Sequence, residues 1–243
     1  EAVTASVLAD QRAVGIGEGV AGGRWSTAEL VAVELETFEF SVRRRDSGVA
    51  VADPEVLAGV MRSRPNLSGE QKAMVEALCR SGDGVQVVIG VDGAGKTYAL
   101  GAAYEAWRNS GIRVIGAALS ARAAQELSQG AGIYSSTIAK LTAELADPAH
   151  GGLRAGSVLV VDEAAMVSSR ELAVLAGHAR RAGAKLVLVG DDRQLPSIGA
   201  GGLFAALADR LGAVQLTENR RLKTEAQDLA LTVDAAPSFA GTE

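Results

Sequence analysis

Residues 90–97 read Gly-Val-Asp-Gly-Ala-Gly-Lys-Thr. The spacing fits G-x-x-x-x-G-K-[ST], a loop that wraps phosphate groups. It follows the apolar run 85–89 and precedes 98–107, a stretch without proline that reads as helix. Strand, loop and helix in that order are the setting the motif needs. Gly93 and Gly95 let the backbone turn tightly, so that its N–H groups and the helix start face phosphate oxygens. Lys96 supplies a point charge for the β- and γ-phosphates, and the Thr97 hydroxyl a ligand for Mg²⁺. Gly90, Gly93, Ala94, Gly95, Lys96 and Thr97 are the candidate residues for holding a nucleoside triphosphate.

Residues 158–163 read Val-Leu-Val-Val-Asp-Glu. Four apolar residues predict a short strand buried on both faces, as in parallel sheets. Asp162 then falls at the carboxyl end of that strand, the edge where α/β sheets bind ligands. It is a candidate Mg²⁺ ligand, and Glu163 a candidate base for the attacking water. Alone, an Asp-Glu pair reads as a helix start stabilised by the dipole. Behind an apolar strand and downstream of the phosphate loop, the catalytic reading is preferred.

Composition is compatible with that reading. A chain of 243 residues with 48% hydrophobic content suits one medium domain with extensions. Cys79 is the only cysteine, so no internal disulfide forms and a reducing cytoplasm is the simple expectation. No apolar stretch is long enough to span a bilayer, and no signal peptide is visible. The net charge of −5 argues against a wholesale basic footprint for nucleic acid. Residues 67–222 carry 16 Lys/Arg and 15 Asp/Glu, so the acidity lies in the flanks and a local DNA track is allowed.

Residues 1–25 are Gly- and Ala-rich with no clear period and read as loosely structured. A helix is expected from Ser26, which makes a capping box with Glu29. Arg43–Arg45 close it, as a solvated end. Asp53-Pro54 reads as a second helix start, and Ser68 opens a third. Strands are then expected at 85–89, 113–118, 158–161, 185–189 and 213–216. Helices are expected at 97–108, 121–129, 137–146, 169–182 and 202–211. That alternation predicts an α/β fold: a P-loop, RecA-like parallel sheet with helices on both faces. Residues 1–66 form a helical N-terminal extension, 67–222 the ATP-binding domain, and 223–243 a tail expected to be disordered or aberrant.

The segment 189–196, Val-Gly-Asp-Asp-Arg-Gln-Leu-Pro, separates the many kinds of P-loop protein. Here the chain resembles the superfamily 1 helicases. Residues 115–124 look like the motif that grips single-stranded DNA, and Ser136-Thr137 like the next DNA-contact motif. Leu216–Arg221 looks like the motif whose last arginine reaches the γ-phosphate. Leu67–Gln71 is similar to the glutamine motif that reads adenine. The wording is most similar to the RecD-like branch, and within it to the helicase half of conjugative relaxase–helicases (the TraA/MobF type). The resemblance implies an ATP- and Mg²⁺-dependent DNA helicase or translocase. It makes Gln71 the adenine reader, Gln194 the γ-phosphate sensor and Arg221 an arginine finger, beside Lys96 and Glu163. It places Ser120, Arg122 and Thr137 against single-stranded DNA. Gln71 has a competing role, since it also makes a capping box with Ser68. Arg122 reads equally as a solvated helix residue.

The family has two RecA-like domains with ATP between them, and only 22 residues follow Arg221. The first residue is Glu, not Met. The expectation is therefore a first motor domain cut from a longer or truncated gene, with a second motor domain or a relaxase domain as a partner supplied elsewhere. His150 and His178 lack the pattern of a relaxase metal site. On this reading the chain alone does not unwind duplex DNA. The alternative is a module that binds ATP and DNA with little turnover.

Overall fold

The computed structural model describes residues 12–19, 22–191 and 202–218. The tail expected at 223–243 lies outside them. At the N-terminal end the structure corrects the expectation of a loose, purely helical extension. Strands β1 (Ala13–Gly19) and β2 (Gly22–Thr27) form an antiparallel hairpin. Helix α1 (Ala28–Arg43) is capped one residue later than expected. Its N-cap is Thr27, whose Oγ1 accepts from Leu30 N at 3.2 Å. Ser26 and Thr27 are both favoured cap types, and the second strand extends through them, which moves the start. Arg44, just past the helix, is not a solvated end. Its guanidinium lies 5.7 Å from the Phe40 ring centroid and donates to Ala184 O at 3.1 Å.

Helix α2 (Pro54–Ser63) begins as the sequence predicts: Asp53 accepts from Glu55 N and Val56 N, and Pro54 takes the first position. Helix α3 (Gly69–Arg80) is opened by the Ser68–Gln71 capping box. The chain then alternates through β3 (Val85–Gly90), α4 (Lys96–Asn109), β4 (Val114–Ala118), α5 (Ala121–Ala131), β5 (Ser135–Thr137) and α6 (Ile138–Ala146). It continues through β6 (Val158–Val161), α7 (Ser169–Ala182), β7 (Lys185–Gly190), α8 (Leu203–Leu211) and β8 (Val214–Leu216).

Strands β3 to β8 make one sheet in the order β5-β4-β6-β7-β3-β8, with every pair parallel. All residues of β3, β6 and β7 are buried, which is why these strands are apolar apart from Gln86 in β3 and Lys185 at the start of β7. Successive side chains alternate between two cores. Val88, Val160 and Val187 join Leu57 of α2, Met74 of α3, Leu100 and Trp107 of α4 and Leu127 of α5. Val87, Leu159, Val161 and Leu188 join Phe40 of α1, Ile138 of α6, Leu172 of α7 and Leu207 of α8. The helices of the extension thus cover both faces of the sheet. From β3 the chain crosses outward to β4 and works back to β7, and β8 is added on the other side of β3. Strand order reverses at β3, so the crevice at its carboxyl end is where a ligand is expected. Among the described residues no helix is long and apolar enough to cross a membrane.

At the opposite edge, the first residue of β7 is a buried lysine. Lys185 Nζ donates to Leu78 O (3.0 Å), Ser81 O (2.6 Å) and Gln86 Oε1 (3.1 Å), so it ties the end of α3 to the sheet. Desolvation lowers its pKa from 10.5 to about 8. Between those values the unfolded chain holds a proton that the folded chain has released. Stability from this group therefore rises with pH across that window, by about 3 kcal/mol in full. Buried Cys79, whose pKa burial raises to about 12, pulls the other way above pH 9, so the rise is read from chemical denaturation at pH 8 and pH 10 as the difference between wild type and Lys185→Met. Equal slopes in both proteins would refute the assignment.

Candidate active site

The loop between β3 and α4 has the backbone that its glycines allow. Gly93 (φ +82°) and Gly95 (φ +77°) are left-handed, a conformation that costs other residues energy. Gly95 is the N-cap of α4 and offers no side-chain cap, so the first amides of the helix are left for an anion. Gly90 is needed for a different reason. A Cβ there would stand 2.9 Å from Lys96 Cγ and Cδ, so only glycine lets the lysine lie along the loop. Lys96 Nζ donates to Gly90 O (2.5 Å) and Val91 O (3.3 Å), with Asp92 at 3.8 Å. Ala94 is buried, and its N–H donates to Val91 O at 3.1 Å. The Thr97 methyl side is packed towards Gly130 of α5.

Two strands over, β6 delivers Asp162 and Glu163 to the same edge. Asp162 N is held by Ala117 O of β4 at 2.9 Å, and Asp162 Oδ1 accepts from Glu163 N at 2.9 Å. Burial raises the Asp162 pKa, against the Glu163 amide and the Lys96 charge, which lower it. Burial also raises that of Glu163, with Asp162 the next cause. Glu163 sits at φ +54°, one of three non-glycine residues with positive φ among those described. Such a backbone costs of order 1–3 kcal/mol and is found where function demands it. The strain turns the chain so that adjacent carboxylates leave the strand end.

A raised carboxylate pKa has a defined sign for stability. Between the ordinary value and the raised one, the folded chain binds more protons than the unfolded chain, so stability falls as pH rises through the window. Above the ordinary carboxylate range the burial of Asp162 is thus a net cost to the free protein. Asp162→Asn keeps an acceptor for Glu163 N and removes the buried charge. We expect a higher melting temperature than wild type at pH 7 without ligand, together with loss of Mg²⁺-dependent nucleotide affinity. A lower melting temperature would contradict this.

Gln71 is brought to the loop, in an unexpected way. It is 1% exposed. Its Oε1 accepts from Ser68 N at 3.0 Å, and its Nε2 donates to Ala94 O at 3.0 Å and Gly95 O at 3.4 Å. Both ends of the amide are engaged in capping α3 and holding the phosphate loop. Turning it outward would give up bonds worth about 1 kcal/mol each and take the donor from the buried Ala94 carbonyl, while Gly95 O keeps Ala99 N. Its neighbour Glu70 accepts from Thr217 N (2.8 Å), Thr217 Oγ1 (2.5 Å) and Glu218 N (3.1 Å). This fixes the exit of β8, the segment leading towards Arg221. Gln194 and Arg221 themselves lie outside the described residues. Asp191, at the end of β7, was not singled out by sequence reasoning although it lies in the quoted 189–196 motif. It is buried, and its Oδ2 accepts from Asp92 N of the phosphate loop at 3.2 Å.

The three DNA candidates lie together at the far side of the same edge, where Ala118 pairs with Thr137. Ser120 caps α5 through Ala123 N (3.1 Å), and Thr137 caps α6 through Lys140 N (3.2 Å). Arg122 projects from α5, with its side chain 90% exposed and paired with Glu126 at 2.8 Å. Among the described residues no group of three or more His, Cys, Asp or Glu could hold a metal. Mg²⁺ would here rely on Asp162, Thr97 and the phosphates themselves, and this donor set of hard oxygens suits it.

Sheet, loop and strand-end carboxylates define a RecA-like P-loop fold. Residues 66–235 match the family model described as an AAA domain, and the chain belongs to that family. Over most of its length it is similar to a segment of conjugal transfer TraA proteins. The probable conjugal transfer protein TraA of Sinorhizobium fredii is 40% identical over 199 residues, covering 81% of this chain and 18% of that protein. The chain therefore spans less than a fifth of the length of this relative. The ATP-dependent RecD2 DNA helicase of Deinococcus radiodurans is 30% identical over 160 residues, covering 65% of this chain and 22% of that protein. The Pif1 helicase structure from Candida albicans is similar at a TM-score of 0.47 and 22% identity, covering 63% of this chain and 39% of that one.

Proposed function

We propose that the chain is a nucleotide-driven DNA motor module, serving DNA transfer in a conjugative relaxase–helicase. The observation that carries this is the phosphate loop at the end of β3 facing the Asp162–Glu163 pair at the end of β6. ATP is the nucleotide, with Mg²⁺ held by Thr97 and Asp162. Lys96 neutralises charge on the transferred phosphoryl group, and Glu163 orients and deprotonates the attacking water. Gln194 senses the γ-phosphate and Arg221 stabilises its charge. Single-stranded DNA runs across the ends of β4 and β5, by Ser120, Arg122 and Thr137. A second motor domain or a relaxase domain is the expected partner. ATP turnover measured with and without single-stranded DNA tests the reading. Several-fold stimulation supports it, and DNA-independent turnover by a chain that binds DNA overturns it.

A second reading is a module that binds nucleotide and DNA without coupled turnover. It is favoured by the Ser120 and Thr137 hydroxyls, already used as helix caps, and by the Arg122–Glu126 pair. Few groups are then left to grip phosphates, and any such contacts weaken with salt.

A further inference from the structure

The phosphate-loop motif leaves residue 92 open, and here it is an acid. The Asp92 side chain is 75% exposed, and its Oδ1 lies 3.8 Å from Lys96 Nζ, whose side chain is only 15% exposed. The backbone holds the acid in place, since Asp92 N donates to the buried carboxylate of Asp191 at 3.2 Å. The loop is also closed on itself. Lys96 Nζ donates to Gly90 O and Val91 O, and Ala94 N donates to Val91 O. The cation that phosphate needs thus already faces two carbonyls and a carboxylate of its own loop. Charge at this edge is one-sided. Burial is the main cause that raises the pKa of Asp162 and of Glu163, but the charge of Asp92 adds to it at both, and that of Lys96 works against it. Three carboxylates thus act against one ammonium group.

We propose that Asp92 is an internal counter-ion of Lys96, which an incoming phosphate must displace, and that it makes the site select the metal complex of a nucleoside triphosphate over the free anion. The proposal rests on the nucleoside-triphosphate reading given above. Repulsion between Asp92 and a ligand scales with the charge of the ligand. Bound Mg²⁺ cancels about half the charge of a free triphosphate, so the carboxylate opposes the metal complex about half as strongly. The exposure of Asp92 bounds the effect, because a solvated charge pair is worth little and salt screens it. Asp92 therefore tunes affinity and selectivity, while Lys96 and the loop supply the binding itself.

The test is calorimetric titration of the full chain with ATP, in excess Mg²⁺ and again in EDTA, at low salt and at about 1 M salt. Wild type, Asp92→Asn and Asp92→Glu are compared after circular dichroism has shown that each is folded. Asp92→Asn removes the charge and keeps both the shape and the backbone bond to Asp191. At low salt it should bind the Mg²⁺ complex of ATP about threefold more tightly than wild type, a gain of the size an exposed charge pair supplies. Metal-free ATP, with its larger charge, should gain about tenfold. Both gains should shrink towards unity at about 1 M salt, where the Debye length is about 3 Å, and Asp92→Glu should stay near wild type. A merely structural role would show neither the salt dependence nor the larger gain without metal. Equal or weaker binding by folded Asp92→Asn, or the same gain for both forms of ATP, would overturn the proposal. A folded wild type that binds no ATP in Mg²⁺ would instead overturn the nucleotide site itself, and the counter-ion with it.

Discussion

Glu163→Gln is expected to slow ATP hydrolysis by about 10²–10⁴-fold, the usual contribution of a positioned general base. The amide has the shape of the carboxylate, so the left-handed backbone at φ +54° and the strand end it terminates are preserved. What is lost is the ability to take a proton from water. Nucleotide affinity should stay within about twofold, because the base acts on the transition state and not on the ground state. Burial and the neighbouring Asp162 raise the pKa of Glu163. The wild-type rate should therefore begin to fall, as pH is lowered, above the pH at which an ordinary glutamate would protonate. Single-turnover hydrolysis across a pH series checks both points. Unchanged hydrolysis in the variant would place the base elsewhere.

Lys96→Ala is expected to lower nucleotide affinity by at least about a hundredfold, or 2.7 kcal/mol. Lys96 brings the cationic side chain of the loop, and truncating one partner of a hydrogen-bonded charge pair typically costs about 2–5 kcal/mol. The fold should survive, because Lys96 makes its bonds to Gly90 O and Val91 O within its own loop. Equilibrium dialysis with labelled ATP reads the loss, and thermal unfolding confirms that the variant is folded. Near-wild-type affinity in a folded variant would remove the phosphate loop from the mechanism.

These residues were legible because their chemistry is local. Glycines at 93 and 95 with a lysine and a threonine in a row mark a phosphate loop by spacing alone, and the two acids gain their catalytic reading from the four apolar residues before them. The central strands were equally plain, since burial on both faces makes β6 a continuous apolar run and β3 and β7 nearly so. Asp53-Pro54 and Ser68 marked helix starts through cap chemistry that needs no tertiary information. Strand β5 escaped notice because three polar residues at a sheet edge carry no hydrophobic period. The β1–β2 hairpin escaped because glycines interrupt its alternation, and Val14, Ile16 and Trp25 remain substantially exposed. The position of Gln71 was left open between a cap and a base reader. Only the tertiary approach of α3 to the phosphate loop showed a third task, the bonds to Ala94 O and Gly95 O. Asp191 and Glu70 likewise have meaning only once distant segments are brought to one edge.

Calorimetric titration of ATP into the wild-type chain, with and without Mg²⁺, tests the site most directly. The arrangement of loop, Lys96 and Asp162 predicts one saturable site per chain, with affinity that depends on Mg²⁺ and weakens in Asp162→Asn. Binding that is absent from the folded protein, or indifferent to both the metal and Asp162, would contradict the account.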